Sequence, residues 1–177
     1  ARKFWDMREH VPLAQADDGP NIKHDVSLPI SAIPSFIATC NDMLRAKYPG
    51  VRVINYGHLG DGNLHYNIAG PSSAQTEEFF TSKSKEIQAL VYAEVEKLNG
   101  SISAEHGVGQ QKVAYLKGHR GEVALGVMQA IKQALDPHNL MNPGKVIASW
   151  FANGSNPAIK KAPDLSGAFL FDDRLLI

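Results

Sequence analysis

The sequence predicts an α+β fold in which an antiparallel sheet carries helices packed on one face. Two apolar-rich runs in residues 51–68 flank Asp61-Gly62, a pair typical of a two-residue β-hairpin loop. Residues 33–47 and 76–99 instead repeat apolar side chains at helical spacing. Hairpin strands that alternate with such helices indicate an antiparallel sheet.

The N-terminal elements follow from local signals. Residues 2–9 predict a short helix that ends near Pro12, and composition makes residues 13–21 a loop. Ile22 to Leu28 alternates apolar and polar residues as a strand does. Ser31 is the expected N-cap of the helix over residues 33–47.

The later elements complete the pattern. Thr76 is the expected cap of the helix that ends before Gly100, and a short strand over residues 101–104 follows. Helices are expected near 110–117 and 121–135, the second ending at Asp136-Pro137. The order of strands and helices is that of a ferredoxin-like plait, with too few strands for a complete one. Residues 1–148 should form one domain and 149–177 a tail whose role the sequence does not indicate.

Composition excludes several classes of function. The 18 basic and 18 acidic residues give no net charge, so nothing favours binding to nucleic acid or to an anionic membrane. No apolar run approaches the roughly 20 residues of a membrane span. The single cysteine, Cys40, excludes an internal disulfide and fits a reducing compartment such as the cytoplasm.

The predicted hairpin places two histidines together. With Asp61-Gly62 as the loop, His58 faces His65, and directly opposed residues have Cβ atoms about 4.5–5.5 Å apart. Tyr56 and Asn67 form the next pair on this face. Either histidine alone would more often be a polar residue on a solvated face, but two opposed imidazoles can share a metal ion.

A third ligand candidate lies about forty residues further along the chain, in the segment Ser103–Gly109. Glu105 would complete a site of two histidines and one carboxylate, which leaves coordination positions open for substrate. Zinc, manganese and ferrous iron fit these ligands about equally well. His106 follows directly, and Gly107 and Gly109 allow an irregular backbone there.

Three motifs together resemble the C-terminal domain of FAD-linked 2-hydroxy-acid dehydrogenases and oxidases of the vanillyl-alcohol-oxidase type, a group that acts on D-lactate, D-2-hydroxyglutarate or glycolate. They occur in the family's order and cover about residues 2 to 147: Gly57-His58-Leu59-Gly60-Asp61-Gly62-Asn63-Leu64-His65, Ser103-Ala104-Glu105-His106-Gly107-Val108-Gly109, and Asp136-Pro137 with Asn142-Pro143-Gly144-Lys145.

The resemblance assigns a role to each matching residue. It implies that a divalent metal is held by His58, His65 and Glu105, that Asn67 and His106 lie beside the substrate, that Arg8 and Lys23 bind a substrate carboxylate, and that Asn142 approaches the flavin. The chemistry of such an oxidation would then let His106 take the hydroxyl proton as general base. At Pro12, where some members have a substrate-binding threonine, this chain has no hydroxyl.

The activity implied is oxidation of a D-2-hydroxy acid to a 2-oxo acid, with hydride transfer to FAD. The flavin would be bound mainly by an N-terminal FAD-binding domain that this chain lacks. We therefore expect the chain to be part of a longer protein and to be inactive alone. An unidentified electron acceptor would reoxidise the flavin. The location would be cytoplasmic or, in a eukaryote, the mitochondrial matrix. Whether the protein forms a homodimer is an open alternative.

Two other classes of function are compatible with the same residues. A metal-dependent hydrolase would use the His58, His65 and Glu105 site to activate water and would need no flavin. A non-catalytic metal-binding or dimerisation domain would use it for structure alone. Flavin absorbance after the missing N-terminal region is restored would discriminate among the three.

Overall fold

The computed structural model describes residues 2–71 and 77–148. The chain falls into two compact units, one ending at Gly107 and the other beginning at Val108. Residues 149–177, the predicted tail, lie outside the described residues, so the division of the chain at residue 148 stays a prediction.

The described part of the first unit contains three helices and four short strands. In chain order they are α1 (Arg2–Asp17), β1 (Asn21–Ile22), β2 (Asp25–Ser27), α2 (Ile33–Lys47), β3 (Arg52–Tyr56), β4 (Asn63–Ala69) and α3 (Glu77–Lys97). Two 3₁₀ turns cover Ile30–Ala32 and Leu59–Asp61.

The strands form one antiparallel sheet with β4 at its centre. On one side β3 pairs with β4, and on the other β1 and β2 follow one another in a single register, Ile22 opposite Ile68 and Val26 opposite Leu64. This arrangement confirms the α+β prediction. It does not confirm a ferredoxin-like plait, because residues 101–104 contribute only a bridge between Ser101 and Ser27 instead of the predicted strand.

The sheet has one face in the core and one face on a cavity. Tyr66 and Ile68 of β4 are fully buried, and the Tyr66 ring lies 5.3 Å from the ring of Phe36 on α2. Burial of each such side chain stabilises the fold by about 1.5–3 kcal/mol. The alternate residues of β4, His65 and Asn67, point to the other face because successive strand residues alternate in direction.

The helix predicted over residues 33–47 is confirmed as α2, with Phe36, Cys40 and Leu44 buried along one stripe. The predicted cap is wrong. Ser31 lies inside a 3₁₀ turn that precedes the helix, and Ala32 occupies the N-cap position without a side-chain hydrogen bond. Thr76, the predicted cap of α3, lies outside the described residues.

Helix α1 is longer than predicted. The sequence suggested a stop near Pro12 and a loop over 13–21, but the helix continues through Pro12 to Asp17. Proline removes one hydrogen bond to the preceding turn, whereas the following Leu13, Ala14 and Gln15 are good helix formers. The predicted strand Ile22–Leu28 is instead divided into β1 and β2 by residues 23–24.

The second unit contains α4 (Val113–Leu135), which has non-helical backbone at Gly121 and ends before Pro137 as predicted. The break at Gly121 separates the two helices that the sequence predicted near 110–117 and 121–135. Asp136 accepts hydrogen bonds from the backbone of Leu140 and Met141 and from Lys132. The Lys132 ammonium, above all, lowers the pKa of Asp136 to about 2.

The hairpin loop between β3 and β4 is longer than the predicted two residues. Tyr56 lies opposite His65, and His58 exchanges both backbone hydrogen bonds with Asn63 at 3.2 Å. The predicted pairing of His58 with His65 is therefore wrong by two residues. A shift of two keeps every side chain on its predicted face. Asp61 ends a 3₁₀ turn here, and Gly62 follows with a φ of 66°.

We predict that Gly62→Ala destabilises the protein by about 1–3 kcal/mol, because a β-carbon there combines left-handed backbone strain with a clash. That carbon would lie 2.1 Å from the carbonyl oxygen of Leu28. Urea unfolding measures the change.

Gly60→Ala is the matched control, since a β-carbon at Gly60 meets nothing within 4 Å. Equal stability losses for the two variants would contradict this account of the loop.

Candidate functional site

A cavity of about 460 Å³ opens on the face of the sheet that carries His65 and Asn67. Side chains from α1, the β1–β2 strand, the hairpin and the 104–106 segment line it. Seven of the eight predicted site residues line it: Arg8, Lys23, His58, His65, Asn67, Glu105 and His106.

The two histidines and the glutamate of the predicted metal set lie together. His58 Nδ1 is 2.7 Å from Glu105 Oε1, and His65 Nε2 is 3.6 Å from Glu105 Oε2. The rings of His58 and His65 are 6.1 Å apart as diagonal rather than opposed neighbours. Because Nδ1 of His58 faces oxygen acceptors, the proton of a neutral ring belongs on that nitrogen and Nε2 keeps its lone pair.

A buried carboxylate that the sequence did not single out organises this cluster. Asp25 on β2 is 2% exposed, and its Oδ2 accepts hydrogen bonds from the backbone of Ala104, Glu105 and His106 at 3.1, 2.9 and 2.8 Å. Its Oδ1 accepts one from Asn63 Nδ2 at 3.0 Å. Burial alone would raise the pKa of Asp25, but these backbone hydrogen bonds hold it below its usual value.

Asn63 links this carboxylate to the hairpin. Its amide donates to Asp25, while its Oδ1 lies 3.2 Å from His58 Nδ1. Asp25 therefore fixes Glu105 through the backbone and fixes His58 through one intervening amide. Such an Asp in a strand gives no local sequence signal, because its partners are 79 to 81 residues away.

His65 and His106 stack on each other beside the same carboxylate, Asp25. Their rings stack at 5.7 Å, and each has an Nδ1 atom 3.9 Å from an oxygen of Asp25. Burial lowers the pKa of His65 below its usual value, against the opposing effect of the Asp25 and Glu105 carboxylates. The neutral imidazole that metals require is thus favoured at His65.

One group of possible ligand atoms in the described residues lies close enough together for a metal, and it overlaps the predicted set. Asp25, His65, Glu105 and His106 each offer one ligand atom, all within 4.8 Å of one another. The predicted set has His58 in place of Asp25 and His106. Asp25 already accepts four hydrogen bonds and would have to give some of them up to bind a metal. Metal binding by His58, His65 and Glu105 stays a prediction.

Two cationic side chains, Arg8 and Lys23, line the same cavity. Arg8 of α1 is exposed, pairs with Glu9 at 2.5 Å and lies over the Trp5 ring at 5.5 Å. Lys23 is exposed at the gap between β1 and β2. Both side chains line the cavity and carry the positive charge that attracts an anionic ligand.

Asn67, predicted to act beside the substrate, is held firmly by its neighbours. It is 3% exposed, its Oδ1 accepts from the His24 backbone N–H at 3.1 Å, and its Nδ2 donates to Gln15 Oε1 at 3.0 Å. Burial raises the pKa of Tyr56, while a hydrogen bond from Asn67 acts in the opposite direction. The catalytic role of Asn67 stays a prediction, as do the roles of the other site residues.

Asn142, predicted to approach the flavin, lies in the second unit on the loop after α4. Its φ is 48°, a left-handed conformation that asparagine tolerates, and its carbonyl accepts from the Lys145 backbone at 3.2 Å. Local backbone geometry accounts for this residue, and contact with a flavin stays a prediction.

Comparison with known proteins identifies the chain's relatives. A family model described as "FAD linked oxidases, C-terminal domain" matches residues 1–146. The chain belongs to this family. The resemblance seen in the sequence motifs is confirmed.

Three similar proteins are named D-2-hydroxyglutarate dehydrogenase. The D-2-hydroxyglutarate dehydrogenase of Xanthomonas citri pv. viticola is 39% identical over 89% of this chain and 33% of its own length. The Stutzerimonas stutzeri protein is 37% identical over 84% of this chain and 32% of its own length. The mitochondrial protein of Rattus norvegicus is 37% identical over 81% of this chain and 25% of its own length. This chain thus spans a third or less of the length of these relatives.

The FAD-linked oxidase assignment makes the chain part of an oxidoreductase family whose members act with a flavin. None of the helices in residues 2–71 and 77–148 is both long enough and apolar enough to span a bilayer.

We predict that Asp25→Asn lowers the free energy of unfolding by roughly 2–4 kcal/mol, because a charged acceptor of four hydrogen bonds is lost and the new amide faces donors. Chemical unfolding gives the change, and amide NMR shifts of residues 104–106 report whether the segment moves.

Asp42→Asn, at an exposed position of α2, is the isosteric control and should change stability little. Adding Asn63→Asp to Asp25→Asn returns a carboxylate to the pair and should recover part of the loss. No difference between Asp25→Asn and Asp42→Asn would refute the organising role of Asp25.

Proposed function

We propose that this chain is the substrate- and metal-binding portion of a flavin-dependent dehydrogenase that oxidises a D-2-hydroxy acid to a 2-oxo acid. One observation carries the proposal: the imidazoles of His58 and His65 and the Glu105 carboxylate meet in a cavity that Arg8 and Lys23 also line. A single cavity lined by both possible metal ligands and cationic side chains fits a small hydroxy acid.

A divalent metal, zinc, manganese or ferrous iron, is proposed at His58, His65 and Glu105. The donor set fits, because two neutral imidazoles and one carboxylate leave coordination positions for substrate. When bound, the metal would supply Lewis acidity to the substrate hydroxyl, and the FAD would accept the hydride.

The residues of the chain itself bind, orient and move a proton. His106 is the proposed general base for the hydroxyl proton, and its side chain is 60% exposed on the cavity side of the Asp25 carboxylate. Asn67 is proposed to orient the substrate. Its hydrogen bonds to the His24 backbone and to Gln15 hold its side chain in a fixed position. Stacking on His65 restrains the His106 ring.

Arg8 and Lys23 are proposed to bind a carboxylate of the acid. If His58, His65 and Glu105 hold a metal that engages the hydroxyl end of the acid, Arg8 and Lys23 would be left to bind a second acidic group. A 2-hydroxy dicarboxylic acid is therefore the proposed substrate class, and the relatives named D-2-hydroxyglutarate dehydrogenase support it.

The proposed partner is an FAD-binding domain outside this chain, which would hold the flavin with help from Asn142. Large apolar side chains on α1 support such a contact, since Phe4, Trp5 and Met7 are 61–77% exposed. An electron acceptor would reoxidise the flavin. We propose a cytoplasmic location, or the mitochondrial matrix in a eukaryote, as the name of the rat relative suggests.

The test compares variants in the complete flavoenzyme, with D-2-hydroxyglutarate as substrate. His106→Ala should lower kcat by about 10²–10⁴-fold, the usual contribution of a positioned base. Arg8→Ala should mainly raise KM, because carboxylate binding is shared by ground and transition states.

Lys3→Ala is the matched control, as it removes an exposed cation of α1 that does not line the cavity. Turnover of D-2-hydroxyglutarate without flavin, or a near-normal kcat for His106→Ala, would contradict the proposed chemistry.

A further inference from the structure

Gln15 is a buried side chain of the cavity wall with one hydrogen-bonding group unused. It lies on α1, is 6% exposed, and its Oε1 accepts a hydrogen bond from Asn67 Nδ2 at 3.0 Å. Its Nε2 is buried and has no hydrogen-bond partner among the described residues. Such buried polar groups are rare in native proteins, and each calls for an explanation.

The orientation of the Gln15 amide follows from its neighbours. The His24 backbone N–H can only donate, so the Asn67 group 3.1 Å away must be its oxygen, Oδ1. Asn67 Nδ2 is then the donor that faces Gln15, which must present its own oxygen in return. Nε2 is therefore the group left without a partner, and a flipped amide would set two donors against each other.

Gln15 shares the cavity wall with the two cationic side chains. Gln15 lies one turn after Pro12 on α1, and both residues line the cavity together with Arg8 and Lys23. Pro12 has neither a backbone N–H nor a polar side chain to donate. Gln15 is thus the neutral donor that α1 supplies to this wall.

We propose that Gln15 Nε2 donates a hydrogen bond to the distal carboxylate of the substrate and so selects dicarboxylic over monocarboxylic 2-hydroxy acids. The inference rests on the proposed function and deepens it. Arg8 and Lys23 supply charge, which attracts any anion, whereas an amide held by Asn67 has a fixed direction. A site built to donate to an oxygen discriminates against a ligand that lacks it.

The test measures kcat/KM in the complete flavoenzyme for two five-carbon acids, D-2-hydroxyglutarate and D-2-hydroxypentanoate, which differ only in the distal carboxylate. Gln15→Glu is the informative variant, because it keeps an oxygen toward Asn67 and replaces the donor with an acceptor. We expect kcat/KM for the diacid to fall about 10- to 100-fold, as for loss of a hydrogen bond to a charged group, and that for the monoacid to stay within about twofold.

Gln111→Glu adds the same charge at an exposed position of the second unit and should leave both substrates unchanged. A second readout needs no turnover: calorimetric titration of this chain with D-2-hydroxyglutarate in the presence of zinc should show weaker binding for Gln15→Glu by a similar factor.

Equal losses for both acids would overturn the inference, since Gln15 would then act only by positioning Asn67. No change in kcat/KM for either acid would overturn it as well. Wild-type enzyme that turns over neither acid would refute the proposed function, and this inference with it.

Discussion

The buried carboxylate of Asp25 is the constraint on which the geometry of the site depends. A charge that is 2% exposed is tolerated only where hydrogen bonds replace its hydration, and Asp25 obtains these from the 104–106 backbone and from Asn63. These bonds tie a segment without regular secondary structure to strand β2 of the sheet. Glu105 and His106 owe their positions to this anchor.

The central strand β4 connects the core to this anchor. Tyr66 packs under α2, whereas His65 and Asn67 reach the cavity from the same seven-residue strand. Packing of Tyr66 in the core therefore also restrains the backbone that carries His65 and Asn67 into the cavity. The His24 backbone, which donates to Asn67 and accepts from the Tyr66 N–H, strengthens the connection.

Sequence periodicity predicted those elements whose pattern is local. The stripe of Phe36, Cys40 and Leu44 defined α2 correctly, and Asp136-Pro137 marked the end of α4. The hairpin was found but its loop was misjudged, because Asp61-Gly62 also suits the end of a 3₁₀ turn. Pro12 was weighted too heavily against the helix-forming residues that follow it.

The candidate site was predicted in part, again because local patterns can be read from the sequence and distant contacts cannot. His58 and His65 share a face under any even shift of register, so their proximity survived the error in the loop. Asp25, Asn63 and Gln15 were missed because their partners lie far away in sequence: Asn63 is 38 residues from Asp25, and Gln15 is 52 residues from Asn67. An alternating strand pattern marks Asp25 only as a polar position.

The proposed metal site is the central claim, and its most direct test is X-ray absorption spectroscopy of this chain loaded with zinc, compared with His58→Ala. We expect two histidine nitrogens and a carboxylate oxygen at about 2.0–2.2 Å from the metal, with one nitrogen missing in the variant. An unchanged spectrum for His58→Ala together with a changed one for Asp25→Asn would place the metal on the alternative set of Asp25, His65, Glu105 and His106, and would contradict the account.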